Sequence, residues 1–171
     1  MLQLKQAFLN QPILSLRSGT QVATALRPII NPHNLKIEGF YCQDSISRDE
    51  LILLPQDIRE ALPQGFVVND HDVLVHAEDV VRLQKIIPLH YELVGKVVST
   101  DTKQRLGKVD DYATDIESMF IQKIYVSQSL LRGLGSGNIG VDRSQIVEVT
   151  DRKVIVRDTH ARIPANARAL A

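Results

Sequence analysis

LVGKVVSTDTKQRLGKVDDYATDIESMFIQKIYV, residues 93–126, reads as three β-strands separated by two turns, and the chain contains a second, more divergent version of it. Moved back by 84 positions, the stretch aligns without a gap with residues 9–42, so that Tyr125 meets Tyr41. After the offset changes to 88, Val154-Ile155-Val156 aligns with Phe66-Val67-Val68. Two copies with so long a period do not make a solenoid. The sequence therefore predicts two tandem copies of one small β domain, called copy one and copy two below.

The repeat also predicts where the domains begin and end. We expect copy one at residues 8–75, a helical linker at 76–90, copy two at 91–160 and a tail at 161–171. The linker prediction rests on HAEDVVRLQKI, residues 76–86, because its apolar stripe and its order of acidic and basic residues are typical of a helix.

Composition and charge restrict the class of protein. The chain has 20 basic and 20 acidic residues, so its formal net charge is zero. Such a balance argues against direct binding of nucleic acid, and it removes one barrier to forming a homodimer. No apolar run approaches the roughly 18 residues that span a membrane, and the N-terminus lacks the layout of a signal peptide. Cys42 is the only cysteine, which excludes an internal disulfide and favours a cytoplasmic location.

Copy two contains Gly95-Lys96 followed by two valines, then Leu106-Gly107-Lys108-Val109-Asp110, and later Val141 and Ile146 five positions apart. This pattern resembles the PRC-barrel family, which is named for the photosynthetic reaction-centre H subunit and also forms the C-terminal half of a bacterial ribosome maturation factor. Copy one departs from the pattern, with Gln11-Pro12 in place of the first Gly-Lys pair. The resemblance implies an all-β chain with minor helix, in which two small PRC-type β-barrels are joined by the helical linker. It also implies work by protein–protein contact.

The sequence offers no arrangement typical of an active site or a metal site. Gly133–Gly137 is rich in glycine, but a strand follows it and no Lys-Ser/Thr pair ends it, so a flexible hairpin is predicted instead of a phosphate loop. Asp110, Asp111 and Asp115 offer oxygen ligands without the spacing of a calcium loop, which favours a solvated turn. The histidines are scattered, and Cys42 reads as a packed thiol. We expect no enzyme, no cofactor and no metal.

Aromatic and apolar side chains are the candidates for an interaction surface. Tyr41 and Tyr125 recur at equivalent places in the two copies, with Phe40 and Phe120 nearby. Packing in the core or between the two barrels is the favoured interpretation, and a recognition surface is the sharper one, because amphipathic aromatic residues often anchor interfaces. The full candidate set is Phe40, Tyr41, Phe120, Tyr125, Leu130, Leu131 and Leu134. Exposed strand edges at Pro12–Leu16 and Gly137–Val141 are a second means of pairing with a partner. Leu51–Leu54 is apolar throughout, which indicates a central strand.

The leading interpretation is a non-catalytic adaptor or assembly module that binds another protein or a second copy of itself. Two alternatives stay open. One is an accessory factor in RNA processing or ribosome maturation that contacts a ribosomal protein and not RNA directly. The other is a regulatory domain that binds a small ligand or a metal ion.

Overall fold

The computed structural model describes residues 1–128 and 138–158, and this part of the chain is built mainly of β-strands, as predicted. Its strands are β1 (Leu2–Leu4), β2 (Gln11–Ser15), β3 (Gln21–Asn31), β4 (Lys36–Asp44), β5 (Glu50–Leu53), β6 (Ile58–Leu62), β7 (Gly65–Val68), β8 (Val97–Thr100), β9 (Arg105–Asp115), β10 (Ile121–Ser127), β11 (Asn138–Asp142), β12 (Ile146–Val149) and β13 (Lys153–Val156). The helical segments of these residues are short 3₁₀ turns: Lys5–Phe8, Pro55–Asp57, His71–Val73, Ala77–Asp79, Val81–Lys85, Ile87–Leu89 and Arg143–Gln145. Within the described ranges, no helix has the length and apolar character needed to cross a membrane.

The strands form two sheets with the same order. The first sheet has the order β5-β4-β3-β2-β7-β6, and the second has β11-β10-β9-β8-β13-β12, with β1 added beside β9. In each sheet the first and last strands of the copy run parallel, β2 beside β7 and β8 beside β13. All other neighbouring strands are antiparallel. The sequence repeat is therefore also a repeat of topology.

The hydrogen-bonded registers match the sequence alignment in all strands but the first. Cys42 lies opposite Ala25, and Val126 lies opposite Val109, which reproduces the offset of 84. In the first strand, however, Ile13 pairs with Phe66 whereas Val98 pairs with Val154, so the offset there is 85. The alignment of Ile13 with Val97 was thus wrong by one residue.

A difference in turn length explains the shift. The Ser15 amide donates to the carbonyl of Thr20, whereas the Thr100 amide donates to the carbonyl of Gln104, so the turn in copy one is one residue longer. Gly19 and Lys103 both adopt a φ of 68° in these turns, a conformation that glycine tolerates best. Because the two turns carry different residues at this position, glycine and lysine, the sequence comparison did not reveal that the turns differ in length.

Neither sheet closes into a barrel through hydrogen bonds between the described residues. β5 and β6 are the end strands of the first sheet, and β11 and β12 are those of the second. A 3₁₀ turn joins the end strands in each copy, at Pro55–Asp57 and at Arg143–Gln145. The second of these turns is capped by side chains; for example, the Asp142 amide donates to the side chain of Gln145. The expected closed barrel is therefore replaced by two open sheets.

The predicted linker helix is also wrong, because the segment forms three short 3₁₀ turns. The amides of Leu83 and Ile86 donate to carbonyls three residues earlier, at Val80 and Leu83. The apolar residues that pack recur every three positions, which is the period of a 3₁₀ helix and not of an α-helix. Leu83 is fully buried and Val80 is nearly so, whereas Val81, part of the predicted stripe, is 83% exposed.

One main core extends through both sheets. It includes Phe8, at the start of copy one, which stacks on Phe40 and Phe66 with ring centroids 5.9 Å and 6.4 Å apart. Along β9, buried Gly107 and Val109 alternate with exposed Lys108 and Asp110, as expected of a strand with one face on the core. A second cluster forms where Val80 and Leu83 of the linker cover the other face of the first sheet.

Candidate interaction surface

The two copies meet through a reciprocal pair of backbone hydrogen bonds. The Ile37 amide donates to the carbonyl of Met119 at 2.8 Å, and the Ile121 amide donates to the carbonyl of Leu35 at 2.9 Å. Residues 37 and 121, and residues 35 and 119, are related by the same offset of 84. Leu35 and Met119 also share a positive φ, 53° and 59°. The β3–β4 turn of copy one and the β9–β10 turn of copy two therefore meet as the two sides of a pseudo-two-fold junction.

Phe120 lies at this junction. The Cζ atom of Arg143 is 4.6 Å from the centre of its ring, and the Nζ atom of Lys36 is 5.4 Å from it. The Arg143 guanidinium also donates to the carbonyls of Asn34 and Ile121, at 2.7 Å and 3.3 Å. Phe120, predicted as an interaction residue, thus contacts cationic side chains of its own chain and joins the two copies.

Two grooves flank the junction at equivalent places. Groove 1 has a volume of about 420 Å³ and lies between the β3–β4 turn and β12; its lining residues are His33, Asn34, Leu35, Arg143, Ile146, Val147, Glu148 and Val149. Groove 2 has a volume of about 390 Å³ and lies between the β9–β10 turn and β6; its lining residues are Lys36, Pro55, Gln56, Ile58, Arg59, Glu60, Ala61, Ile116, Glu117, Ser118 and Met119. Each groove takes one wall from each copy, so neither copy forms a groove alone.

Each groove contains the unpaired edge of a sheet. β6 hydrogen-bonds to β7, and β12 hydrogen-bonds to β13, but neither has a strand on its other side among the described residues. Both strands carry a β-bulge, next to Arg59 in β6 and next to Val147 in β12. An unpaired edge presents backbone donors and acceptors to which a further strand can add. Sequence reasoning did not identify either edge.

The grooves differ in the residue at the bulge. Arg59 is exposed, and its Nε atom donates to the side-chain oxygen of Asn69 at 2.7 Å. The equivalent residue in copy two, at the offset of 88, is Val147, which is 55% exposed. Charged residues on edge strands discourage pairing with other chains, whereas an exposed apolar residue does not. Groove 1 therefore has the less protected edge.

The other predicted interaction residues are distributed through the fold. Phe40 is completely buried in the main core. Tyr41 is 7% exposed, its ring lies 4.2 Å from the Cζ atom of Arg27, and burial raises the pKa of its hydroxyl. Tyr125, its equivalent, is half-buried. Leu130, Leu131 and Leu134 lie outside the described residues, as does the Gly133–Gly137 loop.

The predicted strand edges are partly wrong. Pro12–Leu16 corresponds to β2, which lies between β3 and β7 and is not an edge. The described part of Gly137–Val141 belongs to β11, which is an end strand. Leu51–Leu54 was predicted as a central strand, but β5 is also an end strand. Its apolar side chains are buried on both faces: Leu51 and Leu53 lie in the main core, and Ile52 and Leu54 pack in the second cluster with residues of the linker. Val75, the last residue of copy one, pairs with Ile52, with backbone distances of 2.7 Å and 3.0 Å.

The candidate ion-binding carboxylates do not converge. Asp110 is the additional residue of a bulge in β9, and Asp111 lies opposite Tyr125. Asp115 accepts hydrogen bonds from the hydroxyl and the amide of Ser118 and from the N-terminal amine, which lower the pKa of its carboxyl. Over the ranges that the structure describes, no three metal-ligating side chains are grouped. Asp115 thus serves to fix the β9–β10 turn.

A buried carboxylate joins the β4–β5 turn to the end of copy one. Asp44 is 3% exposed, and it contacts the ring Nε2 atom of His71 and accepts hydrogen bonds from the amides of Ile46 and Ser47. The contact with His71 is the main cause, and the two amides a further cause, of lowering the Asp44 pKa to about 2. The arrangement ties the β4–β5 turn to the 3₁₀ turn His71–Val73 and is explained by that structural role.

Cys42 is fully buried in β4, and its environment is that of a core residue. Burial raises the pKa of its thiol to about 12, so the thiolate that would act as a nucleophile or ligand is disfavoured. The Sγ atom lies 3.3 Å from the carbonyl oxygen of Phe40. The environment matches the packed thiol that was predicted.

No protein-family model matches this chain, and no curated protein is significantly similar to it in sequence.

Proposed function

We propose that the chain is a non-catalytic protein-binding module, an assembly adaptor made of two PRC-barrel-type domains. The resemblance of copy two to that family supports the domain type, and the common strand order of the two sheets is what duplication of one domain would give. On this proposal, the chain acts through surfaces that bind a partner and not through catalytic groups.

The observation that carries the proposal is the pair of grooves beside the junction. Each holds an unpaired strand edge between walls from both copies, so a partner that enters a groove contacts both copies. Strand addition is a recurring way in which such edges bind extended segments of other proteins. The module thus binds a protein partner and couples its two copies in doing so.

The test is capture of partners by the tagged intact chain from cells in which it occurs, followed by direct titration with the purified partner. We expect a protein that stays bound after nuclease treatment and that binds the purified chain in calorimetry. Binding that requires RNA and falls steeply with salt would instead identify a nucleic-acid factor. A small molecule or metal ion that raises the melting temperature, with no protein bound, would favour the regulatory-domain alternative.

A further inference from the structure

Groove 1 contains features that specify its occupant beyond a generic partner. We propose that the free edge of β12 binds an extended segment of a partner protein, with an apolar residue opposite Val147 and a basic residue opposite Glu148. This inference rests on the proposed function and deepens it, because it names one of the two grooves and the chemistry of the segment that fills it.

The first step is the exposure of Val147. The bulge beside this residue leaves both Val147 and Glu148 exposed, where a regular strand would turn only one of them outward. Copy one places Arg59 at the equivalent position and holds it against Asn69. Because copy two lacks this charge, an apolar side chain of an added strand can cover Val147, and opposite residues in neighbouring strands interact directly.

The second step is the charge of the groove. Arg143 lines it, but its guanidinium is already bound to the carbonyls of Asn34 and Ile121. Glu148 is exposed and makes no ion pair or side-chain hydrogen bond with any described residue. A carboxylate in this setting is complementary to a lysine or arginine of the added strand and repels an acidic one.

The third step distinguishes a partner protein from a second copy of this chain. Antiparallel self-pairing across a two-fold axis at the centre of β12 places Ile146 opposite the second copy's Val149. It then places Val147 opposite the second copy's Glu148, which sets an apolar side chain against a charge at both central positions. The same strand therefore favours a segment of different sequence over its own copy.

The probe is an acetylated and amidated peptide of about six residues, the usual length of a strand, in which valine alternates with lysine. Titrated into the isotope-labelled full chain, it should shift the backbone amide resonances of residues 146–149. A peptide of the same sequence with methylated backbone nitrogens should give no shifts, because strand addition needs those donors. Replacing lysine by glutamate should weaken binding about fivefold, from the loss of one favourable cross-strand pair.

Variants of the chain provide matched controls. Val147→Arg gives copy two the residue that copy one carries at the equivalent position. Because Val147 is 55% exposed, the fold is expected to tolerate the change, and binding should weaken about fivefold. Arg59→Val is the reciprocal change and should create a second set of shifts, at residues 58–62. Glu148→Lys should reverse the preference between the lysine and glutamate peptides.

Several results would overturn the inference. These are an absence of shifts in β12, equal binding of the methylated peptide, or unchanged binding by Val147→Arg. Concentration-dependent dimerisation that Val147→Arg abolishes would identify the second copy as the occupant and would also contradict it. If the intact chain and Val147→Arg bind the same captured protein equally, the proposed function holds and this inference fails. If no protein is bound by either, the proposed function itself fails.

Discussion

Gly107 offers a quantitative test of the packing between β9 and β10. Its φ is 153°, and a Cβ atom built on it would overlap the carbonyl oxygen of Ser127 and lie 2.9 Å from the carbonyl carbon of that residue. The same Cβ would be 3.2 Å from the Cγ1 atom of Val126. Gly107 is the glycine of the Leu-Gly-Lys-Val pattern, so the structure gives this sequence feature a physical reason: the β10 backbone comes too close for any side chain.

Gly107→Ala must therefore either displace the end of β10 or strain the backbone of β9. Strain at a conformation that only glycine adopts readily costs about 1–3 kcal/mol, and overpacking costs about the same again. We expect the free energy of unfolding to fall by about 3 kcal/mol, out of a total of about 5–15 kcal/mol for a typical domain. For a chain of this size the melting temperature should then fall by about 6–12 °C.

The measurement is equilibrium denaturation in urea, with calorimetry for the melting temperature. Gly140→Ala, in β11 of the same sheet, is the control, because its Cβ would approach no atom closer than 3.6 Å from Lys123. That variant should stay within about 0.5 kcal/mol of the natural chain. If Gly107→Ala proves as stable as Gly140→Ala, β10 has no close contact with β9 at this point.

Three further predictions concern the linker and the buried polar groups. Leu83→Ala should lower the free energy of unfolding, measured in urea, by about 2–5 kcal/mol, because the side chain is fully buried. Val81→Ala, at a site 83% exposed, should lower it by less than about 0.5 kcal/mol. Equal losses would mean that the linker does not pack as described. The pKa of Asp44 is lower in the folded chain, about 2, than its ordinary value of 3.8, so its contribution to stability is present above about pH 4 and is lost as the pH falls towards 2. Over that pH range the natural chain should lose about 1–2 kcal/mol of stability relative to Asp44→Asn, measured by denaturation at each pH. This value is smaller than the pKa shift alone would give, because solvent screens the contact with the half-exposed His71. Parallel pH profiles of the two proteins would contradict the prediction. Cys42 should react with an aromatic disulfide reagent at about pH 8 only as fast as the chain unfolds, because the thiol is buried and its pKa is about 12; rapid reaction in the absence of denaturant would show that β4 is accessible.

Much of the fold could be predicted because strand pairing leaves a trace in the sequence. The match of residues 37 and 41 with residues 121 and 125 predicted equivalent strands, and the registers confirm it. The error in the first strand arose in a turn, where one residue more or less changes the register but leaves the hydrophobic pattern almost unchanged. Leu51–Leu54 was assigned to the centre of a sheet because a strand that is buried on both faces is apolar throughout. The sequence does not show whether other strands or the linker cover it.

The candidate site was harder to predict because its walls are far apart in the chain. Groove 1 brings His33 and Leu35 beside Ile146 and Val149, and only the tertiary junction places them together. The aromatic residues that were selected occupy the core or the junction, as Phe40 and Phe120 show. One signal was present in the sequence: at the offset of 88, the repeat sets Val147 against Arg59. Its meaning depends on knowing that both residues lie on unpaired edges.

The two copies are alike at the junction and differ at its margins. Leu35 and Met119 keep the same backbone conformation and exchange equivalent hydrogen bonds, so both turns must have the same geometry for either bond to form. The grooves are under no such mutual constraint, and Arg143 in copy two takes the place of Pro55 in copy one. The guanidinium of Arg143 fixes the wall of groove 1 by binding the carbonyl of Asn34 in the other copy, which proline cannot do. Groove 1 combines this fixed wall with an edge that carries the apolar Val147 at its bulge, while groove 2 carries Arg59 there. On the inference above, the pseudo-symmetric chain therefore binds its partner at groove 1 and not at groove 2.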